Sequence, residues 1–156
     1  MKPLIRTALL AITLFAGQGA RAAEIAGIHF DDRISLASTE LQLNGGGLRT
    51  RFMLKVYAIG LYSPKKADSL EALLAQPGPR RIQIVTLREL TAEQFADEVV
   101  EGLRKNLTET EYARLQPRID EFKAALLSLR TATPNTVIRL EWLPGKAAGL
   151  SDDCAP

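Results

Sequence analysis

The chain has 156 residues and a formal net charge of +2, with a single cysteine, Cys154, and a single histidine, His29. Three basic residues and no acidic residue lie in the first 22 positions, so residues 23–156 carry 17 basic and 18 acidic side chains, a balance that gives no electrostatic attraction to nucleic acid. A lone cysteine cannot form an internal disulfide, and together with one histidine it supplies too few ligands for a zinc site.

Residues 1–22 have the three parts of a secretory leader. Lys2 and Arg6 begin the chain, an apolar run fills residues 8–17, and the small-residue sequence Ala-Arg-Ala occupies residues 20–22. The run is too short for a stable membrane-spanning helix, which counts against the alternative of an N-terminal anchor. We therefore predict a signal peptide at residues 1–22, a periplasmic or secreted mature chain, and no stable membrane insertion after cleavage.

Three short β-like stretches come next, at residues 25–30 (IAGIHF), 33–38 (RISLAS) and 40–44 (ELQLN). His29 is interpreted as a strand residue, because no nucleophile motif surrounds it. Asn-Gly-Gly-Gly at residues 44–47 is the strongest hairpin signal in the chain. These glycines could also cradle a phosphate, but neither Gly-Lys-Ser/Thr nor a helix start follows, so we predict a turn.

The longest predicted strand runs from Arg51 to Tyr62. Because side chains alternate across a strand, two faces can be assigned. The core face is predicted to carry Phe52, Leu54, Val56, Ala58, Gly60 and Tyr62. The other face carries Arg51, Met53, Lys55, Tyr57, Ile59 and Leu61, joined by Arg49 if the extended backbone reaches back that far. This second face has a charged end and an apolar end.

Helices dominate the second half of the chain. A short helix is predicted over residues 69–76 and a strand over residues 81–88. Thr91 and Gln94 form a capping box, which begins a helix whose buried face carries Phe95, Val99 and Leu103. The charged residues of this helix, Glu98 among them, are interpreted as a solvated face.

A second capping box, Thr108 with Glu111, begins another helix, which Pro117 is predicted to interrupt. The next helical piece has an apolar stripe formed by Ile119, Phe122, Leu126 and Leu129. A last strand is predicted over residues 136–143, before Pro-Gly. Strands first, then helices, then a strand predict an α+β domain with an antiparallel sheet covered on one face by helices.

The sequence GLRTRFMLKVYAIGLY at residues 47–62, followed by LTAEQFADEVVEGL at residues 90–103, resembles the chalcone isomerase-like superfamily, specifically its bacterial secreted branch. The resemblance extends from about residue 25 to residue 145. It implies an open-faced β-sandwich, with a large antiparallel sheet, a helical layer and a ligand cleft between them. That fold agrees with the α+β class predicted from the pattern.

The resemblance points to binding proteins more than to enzymes. Plant chalcone isomerases use an arginine, a strand threonine, and a tyrosine and an asparagine of the following helix, whereas fatty-acid-binding relatives hold a carboxylate with an arginine and a tyrosine. Here Tyr57 takes the threonine position, Phe95 the helix tyrosine position, and Gly102 falls near the asparagine position. The arginine role falls to Arg49, which follows Gly-Leu as in the family motif, with Arg51 as the alternative.

The chain departs from the family pattern at its C-terminal end. Family members usually continue past the Pro-Gly with another strand and a helix, whereas this chain reaches Pro156 after the dissimilar sequence SDDCAP. We expect a single chalcone isomerase-like domain over residues 23–156 that is short at its C-terminus, which leaves open whether its cleft is complete.

The chemistry of Arg49 and Tyr57 suits a carboxylate ligand. An arginine offers a planar, permanently charged fork that donates two parallel hydrogen bonds to a carboxylate, and a tyrosine hydroxyl adds a third donor. Met53, Ile59 and Leu61 could supply apolar walls. The alternative is that the arginines are solvated charges at a strand edge and that Tyr57 is a sheet residue with a hydrated hydroxyl.

Three functions are consistent with these features. The leading prediction is non-catalytic binding of a fatty acid or similar apolar carboxylic acid, with Arg49 and Tyr57 as ligand-binding residues and with no catalytic residue, metal or cofactor. The second is an intramolecular lyase of the chalcone isomerase type, against which Phe95 and Gly102 count. The third is a structural or interaction protein with a vestigial cleft. The sequence specifies neither the ligand nor the oligomeric state.

Overall fold

The computed structural model describes residues 23–129, 131–145 and 149–153, which form eight strands and three helices. The predicted signal peptide at residues 1–22 and Cys154 lie outside the described residues. In chain order the elements are β1 (Ala23–Ile25), β2 (Ile28–Phe30), β3 (Arg33–Leu36), β4 (Thr39–Arg51), β5 (Leu54–Ser63), α1 (Leu70–Ala75), β6 (Arg80–Thr86), α2 (Ala92–Asn106), α3 (Glu109–Leu127), β7 (Val137–Trp142) and β8 (Gly149–Asp153).

Strands β3 to β8 form one antiparallel sheet in which neighbours in space are also neighbours in sequence. Strands β1 and β2 form a separate two-stranded hairpin. Helices α2 and α3 pack on one face of the large sheet, and the β1–β2 hairpin packs on the other. The predicted α+β class, with an antiparallel sheet and helices on one face, is confirmed, whereas the hairpin on the second face was not predicted.

The sheet separates two apolar cores. The core on the hairpin side is formed by Phe30, Leu36, Leu41, Leu43, Ala58, Tyr62 and Val85. The core on the helical side is formed by Ile84, Leu90, Phe95, Ala96, Leu126, Ala132 and Ile138. The successive residues Ile84 and Val85 belong to different cores, as side-chain alternation requires in a strand that is buried on both faces.

The stretch IAGIHF, predicted as one strand, is a hairpin. Ala26 and Gly27 have positive φ angles of 53° and 87°, and they turn the chain between the paired residues Ile25 and Ile28. Glycine adopts this left-handed backbone without steric strain. The reversal allows both short strands to cover the same sheet face, which a single extended strand of this length could not do.

The glycine triplet at residues 45–47 lies inside β4, where it pairs with residues 59–61 of β5. The hairpin turn predicted at these glycines is wrong, because glycine serves here for close approach. A Cβ atom on Gly46 would lie 2.4 Å from Cδ1 of Ile25 and 2.8 Å from the carbonyl oxygen of Ile59. The absence of a side chain therefore lets β1 pack directly on the backbone of β4.

The turn between β4 and β5 is formed by Phe52 and Met53. Both residues have positive φ angles, 47° and 64°, and Arg51 pairs with Leu54 on either side of them. This is the backbone pattern of a two-residue type I′ hairpin, which usually contains Asn-Gly. The strongest turn signal in the sequence, at the glycines, therefore lies several residues before the turn that the chain makes.

A β-bulge lies just beyond this turn. Arg49 pairs with Tyr57 and Thr50 pairs with Lys55, so Val56 is an extra residue in β5. Beyond the bulge, predicted core positions are buried, namely Ala58, Gly60 and Tyr62. Before the bulge, predicted core positions are mostly exposed, namely Phe52 and Leu54. The prediction assumed that side chains alternate between the two faces along the whole strand. This assumption is wrong here, because an inserted residue changes which face the following side chains occupy.

Helices α2 and α3 begin where the sequence predicts. The hydroxyls of Thr91 and Thr108 accept hydrogen bonds from the backbone N–H groups of Gln94 and Glu111, whose side chains in turn accept from the backbone N–H of the capping threonine. Both predicted capping boxes are confirmed. The short helix α1 begins after Ser69, whose side chain accepts from a backbone N–H of the first turn.

The predicted interruption at Pro117 is wrong, since α3 continues through it from Glu109 to Leu127. A proline removes one intrahelical hydrogen bond and usually bends or ends a helix. Pro117 is exposed, so the lost bond lies on the solvent side, where water can replace it. The apolar residues Ile119 and Leu126 remain buried on the opposite side.

The strand predicted before the Pro-Gly sequence is confirmed as β7. Asn135, with a φ angle of 69°, forms the turn before it. The segment after the Pro-Gly, which the sequence analysis treated as unlike the family pattern, contains β8, and β8 pairs antiparallel with β7. The sequence GLSDD gives no alternating apolar signal, so a strand that is held by backbone pairing escapes a pattern-based prediction.

We expect Gly46→Ala to lower the free energy of unfolding by roughly 1–3 kcal/mol, because the added Cβ must displace both Ile25 and the backbone of Ile59. Urea denaturation followed by circular dichroism measures this loss. Gly45→Ala is the matched control, since no atom lies within 4 Å of a Cβ at that position. Equal losses in the two variants would contradict the close packing of β1 on β4.

The hydroxyl of Tyr62 is buried without a hydrogen-bond partner among the described residues. Burial, reinforced by the negative charge of Asp31, raises the pKa of Tyr62 to about 12. In the unfolded chain, the phenol of Tyr62 ionises at the ordinary tyrosine pKa of about 10. The stabilising contribution of the neutral phenol is therefore fully present below about pH 10 and is lost as the pH rises through about 12.

We expect Tyr62→Phe to remove this alkaline loss of stability. Near neutral pH the variant should match the parent or exceed its free energy of unfolding by about 1 kcal/mol, because an unpaired buried hydroxyl is removed. Urea titrations between pH 8 and pH 12 test both effects. A variant whose stability falls with pH as steeply as that of the parent would disprove the assignment to Tyr62.

Candidate functional site

Two arginines at the end of β4 meet one glutamate of α2. The Nη2 atom of Arg49 donates to Oε2 of Glu98, and the Nη1 atom of Arg51 donates to Oε1 at 2.6 Å. The Glu98 side chain is only 12% exposed, whereas the arginines are 47% and 55% exposed. The interpretation of Glu98 as a solvated residue is therefore wrong. Its carboxylate joins the end of the sheet to the helical layer.

This contact is favourable electrostatically. The hydrogen bond from Arg49 and the negative charge of Glu98 raise the pKa of the Arg49 guanidinium, so the arginine is held in its charged form. Hydrogen bonds between charged groups are shorter and stronger than those between neutral groups. The two arginines still face water on one side, which screens the attraction and leaves N–H donors free for a further acceptor.

The local sequence explains why these three side chains converge. Arg49 and Arg51 are two residues apart on one strand and therefore project to the same side of the sheet. On α2, the residues Thr91, Gln94 and Glu98 lie at spacings of three and four, so they share one helical face. The capping box fixes the start of α2, and this in turn fixes the height at which Glu98 meets the arginines.

An open cleft of about 530 Å³ lies between this end of the sheet and the start of α2. It is lined by Arg49, Arg51, Phe52, Leu54, Val56, Arg88, Glu89, Leu90, Thr91, Gln94 and Glu98. Four of these side chains are apolar, and they lie beside the arginines. Its volume falls within the range of small-molecule sites, roughly 300–1,000 Å³.

The charges of the cleft leave a positive excess. Three arginines and two glutamates line it, and one glutamate, Glu98, is already bound by two of the arginines. Among the described residues, no hydrogen-bond or ion-pair partner is found for the exposed Arg88. The cleft therefore presents one net positive charge, which is complementary to a single anionic group.

The predicted pair Arg49 and Tyr57 lies side by side, because the two residues face each other in the β4–β5 register. Tyr57 packs edge-on against Phe95, with ring centroids 6.4 Å apart and an interplanar angle of 88°. Burial raises the pKa of Tyr57, and the neighbouring charge of Arg49 partly offsets that effect. Tyr57 does not line the cleft itself; it packs against the core on the helical side.

The apolar walls predicted from the strand pattern are placed differently. Met53 is at the hairpin turn and is 98% exposed, and Ile59 packs into the core on the helical side. Leu61 lines a second, separate cleft of about 380 Å³. This cleft is almost wholly apolar and is bordered by Leu61, Leu73, Leu74, Arg80, Ile82, Phe122, Leu140, Glu141 and Trp142.

The two positions that the resemblance aligned with the catalytic tyrosine and asparagine lack those functional groups. Phe95 is buried beside Tyr57 and has no hydroxyl to donate. Gly102 has no side chain, and a Cβ at this position would have open space around it. Across the described residues, no group of three histidine, cysteine, aspartate or glutamate side chains is close enough to hold a metal ion.

Glu98 and Arg88 line the cleft but were not predicted as candidate site residues from the sequence. One signal could have indicated Glu98, since it follows Phe95 by three residues and therefore borders the buried stripe of α2. A second signal is that residues 41–67 contain five basic residues and no acidic residue. Any carboxylate that neutralises the arginines of β4 had to come from another part of the chain.

Comparison with known proteins agrees with this fold. A family model described as chalcone isomerase-like matches residues 22–153. The crystal structure of a fatty-acid binding protein from Arabidopsis thaliana aligns with a TM-score of 0.64 at 17% sequence identity, covering 81% of this chain and 74% of that chain. Among curated proteins, none matches the sequence.

We expect the double variant Arg49→Ala/Arg51→Ala to lose roughly 1–3 kcal/mol of stability, because it leaves the nearly buried carboxylate of Glu98 without a partner. Adding Glu98→Gln should recover part of this loss, since the amide carries no charge. Chemical denaturation of the parent, the double variant and the triple variant measures the coupling.

The exposed pair Arg33–Glu40 provides the control for this experiment, because its loss should change stability by less than about 1 kcal/mol. A Glu98→Gln substitution that further destabilises the double arginine variant would show that the arginines are not what stabilises the carboxylate.

Proposed function

The chain belongs to the chalcone isomerase-like family, and we propose that it binds a fatty acid or a similar apolar carboxylic acid without transforming it. The carboxylate of the acid would lie at Arg49 and Arg51, and its alkyl part would cover the apolar side chains of the 530 Å³ cleft. We place this binding in the periplasm or outside the cell, in keeping with the predicted signal peptide.

The observation that carries the proposal is the geometry of the Glu98 carboxylate. Each of its two oxygens accepts a hydrogen bond from a different arginine. A carboxylate is thus already recognised by this pair, and the side chain of Glu98 stands where the head group of a ligand would bind. The arginines need no rearrangement to hold a second carboxylate in place of Glu98, or beside it through their remaining donors.

The charge of the cleft favours an acid with one negative charge. Three arginines against two glutamates leave one unit of positive charge before the ligand binds. A monocarboxylate neutralises this excess, whereas a dianion would leave an uncompensated negative charge in a partly enclosed site. Arg88, which is exposed at the cleft edge, adds attraction for the approaching anion.

The apolar lining supplies affinity for an alkyl chain. Phe52, Leu54, Val56 and Leu90 lie next to the arginines. Each methylene group removed from water contributes about 0.8 kcal/mol, so a chain of about ten buried carbons would offer up to about 8 kcal/mol before the costs of binding. The Arabidopsis relative is described as a fatty-acid binding protein, which supports the same class of ligand.

Two features support binding without catalysis. Phe95 offers no proton donor at the position of the family tyrosine, and both oxygens of Glu98 already accept hydrogen bonds from arginines, so neither faces a substrate as its base. Tyr57 carries a hydroxyl, but it does not line the cleft, and burial raises the pKa of its phenol. The arginines can orient a carboxylate, but they offer no proton transfer to a substrate.

We expect Arg49→Ala to weaken the binding of dodecanoate by about tenfold or more, because the variant loses a charged donor to the carboxylate. Isothermal titration calorimetry measures the affinity, and thermal unfolding with and without ligand provides a second readout. Arg33→Ala, which removes an exposed arginine of β3, should bind as the parent does.

Glu98→Gln separates the proposed site from a merely structural cluster. Removing the competing internal carboxylate should raise the affinity for dodecanoate several-fold, opposite in direction to Arg49→Ala. Unchanged affinity in Arg49→Ala, or weaker binding in Glu98→Gln, would refute the assignment of the head group to this pair. Conversion of a chalcone to a flavanone by the purified protein would refute the absence of catalysis.

A further inference from the structure

We propose that the tip of the β4–β5 hairpin, residues 51–55, docks onto lipid bilayers that carry anionic head groups. The hairpin tip consists of the turn residues Phe52 and Met53, the apolar Leu54, and the flanking basic residues Arg51 and Lys55. Four observations carry this inference, namely the exposure of the apolar residues, the backbone of the turn, the local charge, and the small size of the surface.

The apolar side chains of the hairpin tip face water. Phe52 is 86% exposed, Met53 is 98% exposed and Leu54 is 54% exposed. Single exposed apolar residues are ordinary on protein surfaces, but three consecutive ones at the end of a hairpin form a continuous apolar point. The bulge at Val56 lies between these three residues and the buried part of β5, so the apolar surface of the hairpin tip does not continue into the core.

The backbone of the turn disfavours the residues that occupy it. Positive φ angles at both turn positions suit asparagine and glycine, and they place the side chains of larger residues under steric strain. Phe52 and Met53 therefore do not serve the folding of the hairpin. Local strain of this kind is typical of functional positions, and what these two residues add is exposed apolar surface.

The hairpin tip itself carries two basic residues and no acidic residue. Lys55 is exposed beside the apolar side chains, and Arg51 remains 55% exposed although it also donates to Glu98 of α2. The guanidinium of Arg51 lies over the ring of Phe52, with its carbon 5.5 Å from the ring centroid. Exposed aromatic and aliphatic side chains flanked by basic residues are characteristic of surfaces that bind the interface of anionic membranes.

The size of the surface favours a bilayer over a protein partner. A stable protein interface buries upwards of about 1,000 Å², with many residues on each side. The hairpin tip offers three apolar side chains on one protruding turn, enough to enter the interfacial region of a bilayer but too few for a stable protein interface. No helix in the described part of the chain is long and apolar enough to cross a membrane.

Docking through the hairpin tip would bring the cleft to the membrane. Phe52 and Leu54 belong to both the tip and the lining of the 530 Å³ cleft. An amphiphilic acid could then pass between the bilayer and the arginines without crossing bulk water. This consequence rests on the proposed function, whereas docking itself does not.

The test uses the purified protein and a variant, Phe52→Asn/Met53→Gly, that gives the turn its preferred residues. The control is Leu70→Ser/Leu74→Ser, because these residues of α1 are also exposed, at 64% and 62%, but lie beside Glu71. Co-sedimentation measures partitioning onto vesicles of phosphatidylcholine alone and onto vesicles of phosphatidylcholine with phosphatidylglycerol.

We expect the parent and the α1 control to bind the vesicles that contain phosphatidylglycerol, less strongly at high salt, and to bind phosphatidylcholine alone weakly. The Asn-Gly variant should lose at least about tenfold in partitioning. It should nevertheless unfold at the same or a higher temperature than the parent, which shows that the loss of binding is not a loss of folding.

Equal partitioning of the parent and the Asn-Gly variant would overturn the proposal. The proposal would also be overturned if the parent bound neither kind of vesicle. This holds whether analytical ultracentrifugation shows the parent as a monomer or as a dimer formed through the hairpin tip. The last outcome would assign the tip to a second copy of the chain.

Discussion

The cleft end of this molecule depends on one nearly buried carboxylate held by two arginines. Arg49 and Arg51 extend from the last residues of β4, and Glu98 meets them from α2, so this cluster joins the sheet to the helical layer beside the cleft. Without that negative charge, two guanidinium groups would repel each other at the cleft wall. With it, the wall is ordered and still carries an excess of positive charge. The same interaction therefore stabilises the cleft wall and leaves it with the positive charge on which the proposed binding of an anion depends.

Local signals in the sequence predicted the helices well. The capping boxes at Thr91 and Thr108 are satisfied by residues three positions away, so the information that fixes them lies within one helical turn. The order of strands and helices predicted the α+β class for a similar reason, because sheets and helices of this order have few ways to pack. The predictions were wrong where the role of a residue depends on a partner that is distant in the sequence. Gly46 was interpreted as a turn residue, but its role is to leave space for Ile25. The bulge at Val56 depends on how β4 and β5 pair, and the sequence of one strand does not specify that pairing.

The site was predictable only in part. The family motif and the chemistry of guanidinium groups pointed to Arg49, and the family's threonine position pointed to Tyr57. In the structure, the β4–β5 register pairs these two residues. The role of Glu98 was not predictable, because a charged residue on an amphipathic helix usually faces water, and its partners lie 47 and 49 residues away in the sequence. Alternation along β5 also predicted the wrong apolar residues for the cleft. The apolar residues of β5 that line it, Leu54 and Val56, lie between the hairpin turn and the bulge or at the bulge itself. Residue type thus identified the donors, whereas only the tertiary structure identified the acceptor that they already bind.

The order of the strands in the large sheet bears on how the chain folds. Because each strand from β3 to β8 pairs with its successor, the sheet can grow by joining strands that are adjacent in the chain. The connection from β5 to β6 is residues 64–79, which include α1, and the longest connection is residues 87–136 between β6 and β7. Helix formation within that segment shortens the distance that its ends must search. Among the strand pairs of this sheet, the β6–β7 pair therefore carries the largest loop-closure entropy, and packing of α2 and α3 on the sheet is what offsets it.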